Sequence, residues 1–115
     1  ENEVVRNKLA DLAIEVDVSR LISYNIAWMQ SEGLVPNKES SMGKAFGTEM
    51  QQHISQTGMQ MLGLHGQLAP GSKYAALEGR INHMYLTNVS ETIAAGTSEI
   101  QRNIIATRGL GLPRG

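Results

Sequence analysis

The chain has 115 residues, with ten Lys and Arg against eleven Asp and Glu and no cysteine. That length suits one domain burying roughly two-thirds of its unfolded surface, and the balanced charge excludes a strongly basic face for nucleic acid. Without cysteine there are no disulfides, thiol nucleophiles or cysteine metal sites. Apolar runs fall far short of the ~20 residues a membrane span needs, and the charged start Glu1-Asn2-Glu3 does not look like a signal peptide. The expectation is a soluble cytoplasmic protein with neither nucleic acid nor membrane as partner.

From Val5, the apolar residues Leu9, Leu12, Val16, Ile22, Ile26 and Met29 recur at helical spacing, and a second stripe, Ile14, Val18, Leu21 and Trp28, lies off the first. This first helix is expected to be sandwiched between neighbours and to end at Gly33 and Pro36. A second helix is expected from about Lys38 to Leu62, carried by Met42, Phe46, Met50, Ile54, Thr57 and Met61. Gly43, Gly47 and Gly58 interrupt it. Each costs about 0.5–1 kcal/mol against alanine, which points to close approach of another backbone or a cofactor.

Gly63 to Ser72 reads as a loop, with Gly63 ending the second helix. A third helix is expected from Lys73, through Leu77, Ile81, Met84, Tyr85, Val89 and Ile93, to a break near Ala95-Gly96. The fourth is expected from Ser98 to before Gly109, turning Ile100, Ile104 and Ile105 inward. No alternating strand pattern is present. The fold class is therefore all-α, an up-and-down four-helix bundle. Methionine is frequent, at six, and aromatics are few. Such a composition suits surfaces that pack against something else, and with the two-sided first helix it implies self-association.

Ser98 has the chemistry of an N-cap, with Gln101 placed to close a capping box. Gly96, just before, permits backbone angles closed to other residues and leaves no Cβ beside a ligand. Free amides there, at the positive end of a helix dipole, favour an electron-rich group; an ordinary capped helix after a glycine turn is the alternative. Elsewhere the residues offer little catalysis. His53, His65 and His83 lack metal-ligand partners at a recognised spacing, and Glu78, Glu91 and Glu99 are isolated acids.

The phrase from Glu91-Thr92-Ile93-Ala94-Ala95-Gly96 through Gln101-Arg102-Asn103-Ile104-Ile105-Ala106 to Leu110-Gly111-Leu112-Pro113-Arg114 resembles the carboxy-terminal signature of the acyl-CoA dehydrogenases. These are flavoenzymes of fatty-acid and related acyl-CoA oxidation. Lys8-Leu9-Ala10-Asp11-Leu12-Ala13, followed by Ala27-Trp28, is similar to the opening of that family's carboxy-terminal helical domain. Gln60-Met61-Leu62-Gly63 is similar to its flavin-contacting helix end. The resemblance covers nearly all of the chain and only the last third or so of a typical member.

It implies FAD as cofactor and an acyl-CoA as substrate, dehydrogenated at the α,β bond to a 2,3-enoyl-CoA. It also implies an electron-transfer acceptor protein, and a homo- or hetero-oligomer, dimer or tetramer. Thr97, Ser98 and Glu99 would contact FAD, Gly96 would lie against the acyl thioester, and Gln60, Met61, Leu62 and Gly63 would touch FAD held by a neighbouring subunit. Leu64 departs from the pattern, which often has a second glycine there. In the family, a carboxylate takes the α-proton while a hydride passes from the β-carbon to the flavin. In many members that carboxylate directly precedes the glycine; here the position is Ala95, which cannot accept a proton, whereas a positioned base is worth ~10²–10⁴ in rate.

Three explanations are open. In the first the base sits, as in some members, on an earlier helix that would precede Glu1. In the second the subunit is non-catalytic and bridges FAD in a heteromer, as in the heteromeric acyl-CoA dehydrogenases of actinobacterial steroid side-chain degradation. In the third Glu91 or Glu99 substitutes. The domains that complete the family's flavin site are not in this sequence. The isolated chain is therefore expected to give a strongly helical circular-dichroism spectrum and to purify without flavin absorbance. A tightly bound yellow cofactor would show those domains to be dispensable.

Overall fold

A computed structural model describes residues 2–114. Four helices run in order: α1 over Glu3–Ser31, α2 over Asn37–Leu62, α3 over Arg80–Glu91 and α4 over Ser98–Ile104. Among the described residues there is no strand, so the architecture is the expected all-α one. Asn2 starts α1, its Oδ1 accepting from the Val4 amide at 3.0 Å. Gly63, at φ +55, ends α2 and leads into a 3₁₀ turn over Gly63–Gln67.

The second helix is the hub, packing against α1, α3 and α4. Contacts pair Lys8 with Gln60 and Glu15 with His53, so α1 runs antiparallel to α2. Ile81 meets Gly58, and Asn88 meets Gln51, so α3 is antiparallel to α2 as well. Arg102 reaches Glu49 and Arg108 reaches Asn37, which brings α4 and its final turn back along the first half of α2.

Two of the three glycines within α2 are explained by packing. A Cβ at Gly43 would lie 3.1 Å from Ile26 Cδ1 of α1, and one at Gly58 would lie 3.0 Å from Ile81 Cγ2 of α3. Both let a neighbouring helix approach closely, and the energetic cost of glycine within α2 is set against these contacts.

Among the described aliphatic and aromatic side chains only Leu12, Pro36 and Ala45 are buried. Ser41, Thr48, Ser55, Thr57, Asn88, Ser98 and Gln101 are buried beside them. Short polar side chains at the seams allow close approach, and none of their buried polar atoms lacks a partner among the described residues. Among the described residues no helix is long and apolar enough to cross a membrane.

Three expectations are corrected here. α1 is not sandwiched within this chain: Leu12, Val16, Ile22 and Ile26 turn toward α2, while Ile14, Val18, Leu21 and Trp28 of the second stripe are exposed. Leu9, counted with the first stripe, is also exposed. The third helix does not begin at Lys73. Leu77 and Glu78 have φ +50 and +57, left-handed angles that cannot continue a helix, and α3 starts at Arg80 after Gly79 at φ +74. Finally, Ile100 of α4 points outward, half exposed, rather than into the core.

The Gly79 junction is backbone against backbone. A Cβ there would lie 2.5 Å from Pro70 N and 2.8 Å from Ala69 C. Gly79→Ala therefore combines a left-handed side chain with a clash no rotamer can relieve. It should lower the urea-unfolding free energy by about 2–4 kcal/mol.

Candidate functional site: the Ala95–Glu99 corner

The corner is suspended from α2 by side-chain amides. Gln52 Nε2 donates to the Asn88 carbonyl at 3.1 Å and to Thr92 Oγ1 at 3.0 Å, and Asn88 Nδ2 donates to the Gln51 carbonyl at 3.0 Å. Lys44 Nζ donates to the Glu91 carbonyl, placing a cation at the carboxy-terminal end of α3, where the helix dipole favours one. From Thr92 the anchor passes to the next helix, because the Thr92 carbonyl accepts the Ser98 amide at 3.1 Å.

Between these points the chain turns through two consecutive left-handed residues, Ala95 at φ +54 and Gly96 at φ +96. Glycine is comfortable there and alanine is not, since a Cβ in that region costs roughly 1–2 kcal/mol. The strain at Ala95 is held by its surroundings. Gln101 is buried, and its Nε2 donates to the Ala95 carbonyl at 3.2 Å and, more distantly, to the Gly96 carbonyl at 3.5 Å.

This arrangement corrects the expected capping. Thr97, not Ser98, is the N-cap: its backbone is extended, and its Oγ1 accepts the Ile100 amide at 3.3 Å. Ser98 is the first residue inside α4, buried, with its amide engaged by Thr92. Gln101 faces two carbonyls instead of returning to a cap amide. Sequence spacing fits a Ser-x-x-Gln box and a Thr-x-x-Ile cap equally well, and the φ/ψ of Thr97 decides between them.

The amides of Ala95, Gly96 and Thr97 find no acceptor among the described residues, so the corner has donors to offer, one residue earlier than the helix itself. A shallow depression of about 390 Å³ opens beside it, lined by residues that include Glu49, Gln52, Thr92, Thr97, Glu99 and Arg102. Arg102 Nη2 lies 2.8 Å from Glu49 Oε1 and 2.9 Å from Oε2, closing one edge.

Glu99 is exposed. Its own main-chain amide holds its carboxyl below the usual carboxylate range, helped by the Thr97 hydroxyl and by the Arg102 charge. A carboxylate favoured in this way is a poorer proton acceptor, which argues against Glu99 as a substitute base. Glu91 is exposed on the last turn of α3 and has no salt-bridge partner among the described residues.

The second expected element is elsewhere. Gln60 and Gly63 are exposed and Met61 and Leu62 half-buried at the far end of α2. Gln60 lies eight residues beyond Gln52, about 12 Å along the helix at 1.5 Å per residue. The two groups do not converge within this chain. Gln60 Oε1 accepts from Lys8 Nζ at 2.7 Å, and Leu64 is exposed to solvent, 80% accessible, just beyond Gly63.

The family model for the acyl-CoA dehydrogenase C-terminal domain matches residues 1–110. The chain belongs to the acyl-CoA dehydrogenase family. It is 35% identical to the acyl-CoA dehydrogenase FadE26 of Mycobacterium tuberculosis, over 99% of this chain and 29% of that protein. It is 31% identical to the human mitochondrial short-chain specific acyl-CoA dehydrogenase, over 90% of this chain and 23% of that one. The fold superposes with TM-score 0.92 on the ChsE4-ChsE5 complex from Mycobacterium tuberculosis, at 36% identity over 100% of this chain and 30% of that one. On the Tcur3481-Tcur3483 steroid ACAD the TM-score is 0.94, at 29% identity over 100% and 30% of the two chains. The chain thus spans less than a third of the length of these acyl-CoA dehydrogenases.

Sequence reading of the family phrase missed Gln52 and Asn88, which fix the corner. Asn88 carries a signal, a polar residue at helical spacing from Ile81 and Met84, whereas Gln52 lies between Thr48 and Ser55 on a polar stripe that nothing in the sequence marks as buried. The capping assignment is open to a direct check. Thr97→Ala should cost about 1 kcal/mol in chemical denaturation, whereas Ser98→Ala, which removes no cap, should cost clearly less.

Proposed function

We propose that this chain is the carboxy-terminal helical domain of a longer FAD-dependent acyl-CoA dehydrogenase that converts an acyl-CoA to its 2,3-enoyl-CoA. Family membership supports the reaction class. The observation that carries the site is the left-handed Ala95-Gly96 turn, which leaves three successive amides without an acceptor at the family's own phrase. Such donors suit the carbonyl and ring oxygens of a flavin and the thioester oxygen of an acyl-CoA.

In this reading Gly96 lies against the acyl thioester. Thr97 contributes its amide to FAD, its hydroxyl being occupied as the helix cap, and Glu99 occupies the next contact position. Ser98 contributes by supporting the backbone, because its amide is already bonded to Thr92. Gln60, Met61, Leu62 and Gly63 serve FAD held by a neighbouring subunit, which accords with their distance from the corner along α2. Bound FAD would supply the hydride acceptor. Ala95 leaves proton abstraction to a residue outside this sequence, and Glu99, stabilised as the anion, is ill suited to it. The assembly is an oligomer, dimer or tetramer, that works in the cytoplasm and passes electrons to an acceptor protein.

A second reading has an observation of its own. Two of the solved structures most like this chain are named as two-component assemblies, ChsE4-ChsE5 and Tcur3481-Tcur3483. With alanine at position 95, the chain fits a non-catalytic, FAD-bridging subunit of such a pair.

The full-length protein, purified with its flavin and mixed anaerobically with acyl-CoAs, separates the two. Bleaching of the flavin by the unmodified protein is the expected result. Bound flavin that bleaches only in Ala95→Glu, or only when a partner subunit is added, would establish the second reading. A full-length protein unable to bind FAD overturns both.

A further inference from the structure

The peptide planes of the corner have an orientation that one buried side chain enforces. In a trans peptide the carbonyl and the following N–H point in opposite directions. Gln101 Nε2 holds the Ala95 carbonyl at 3.2 Å and the Gly96 carbonyl at 3.5 Å on the inner side of the turn. The Gly96 and Thr97 N–H groups therefore point outward. Two carbonyl acceptors also fix which end of the carboxamide faces the turn, since only the NH₂ group can donate to them.

The contact is exclusive as well as directional. A Cβ at Gly96 would sit 2.7 Å from Gln101 Nε2, so a side chain at 96 and the amide brace cannot share the space. Gln101 is 7% exposed, and it begins its role from the second turn of α4, so it touches no ligand itself. It also bears the left-handed strain at Ala95: without a donor inside the turn, nothing else among the described side chains bonds either carbonyl, and the Ala95–Gly96 peptide is free to rotate.

We propose that Gln101 is a positioning residue that locks the Ala95-Gly96-Thr97 backbone with the Gly96 and Thr97 amides outward, presenting them to the flavin and the acyl thioester. This deepens the reading given above and rests on it. It depends on carbonyl orientation and not on the helix dipole, and it assigns to a buried glutamine the ligand affinity of a site that it does not enter.

The test uses the full-length protein and reads FAD binding and apo-protein melting side by side. Gln101→Met keeps the length and apolar volume but has no donor; Gln101→Leu, shorter and branched, has none either. Each should raise the FAD dissociation constant and lower kcat/KM for acyl-CoA by about tenfold, the scale of one lost hydrogen bond, with the cooperative helical melt of the apo-protein retained. FAD affinity and kcat/KM within twofold of the unmodified protein would overturn the assignment. So would loss of cooperative melting in both variants, which would make Gln101 a residue of the fold and not of the site.

Thr97→Pro compared with Thr97→Ala checks the underlying reading independently. Both lose the hydroxyl, only proline removes the amide, and the φ of −63° at Thr97 accommodates proline. If Thr97→Pro and Thr97→Ala bind FAD and substrate equally, the corner reading itself fails. If proline alone weakens binding while both Gln101 variants are unaffected, only the role of Gln101 is withdrawn.

Discussion

The contact of Asn88 and Gln52 across the α2–α3 seam is the constraint on which the rest depends. Asn88 gives its amide to the Gln51 carbonyl, and its own carbonyl takes the Gln52 amide, which also reaches Thr92. A buried carboxamide without partners would cost about 1–3 kcal/mol, so these bonds specify a single register of α3 on α2. Leu12 and Ala45, each 8% exposed, are with Pro36 the buried apolar side chains among the described residues, and an apolar core of that size could not choose the register by shape. Because the Thr92 carbonyl then holds Ser98, the start of α4 inherits its position from the same seam.

Periodicity made the helices legible and could not show where they stop on special backbone. α1 and α2 lie within a residue or two of their expected bounds because long apolar stripes, Pro36 and Gly63 all act locally. The start of α3 was illegible since Leu77 and Glu78, ordinary helix formers, are forced left-handed where Gly79 abuts Pro70. That is a tertiary contact overriding propensity. The direction of the second stripe on α1 was equally hidden: spacing says that Ile14, Val18, Leu21 and Trp28 share a side, not what lies opposite them.

The family phrase falls on the turn into α4, where the hydrogen bonds differ from those its spacing suggests. Thr97 and Ser98 are adjacent, both competent to cap, and a one-residue shift decides which hydroxyl and which amide remain available. Gln101 was noticed as half of a capping box, and its true partners, two carbonyls, become visible only with the left-handed angles of Ala95 and Gly96. The separation of Gln60–Gly63 from the corner follows from helix length alone, once α2 is known to be unbroken.

The left-handed backbone at Ala95 bears on how such domains diverge. Alanine and glutamate meet a similar Cβ penalty at φ +54, whether that carbon carries only hydrogens or a methylene bearing a carboxylate. Exchanging glutamate and alanine there leaves the main-chain path and its bonds to Gln101 untouched. Under the proposed function the position is a socket into which a reagent can be fitted or from which it can be withdrawn without rebuilding the turn, leaving the proton acceptor to another helix or a sister subunit.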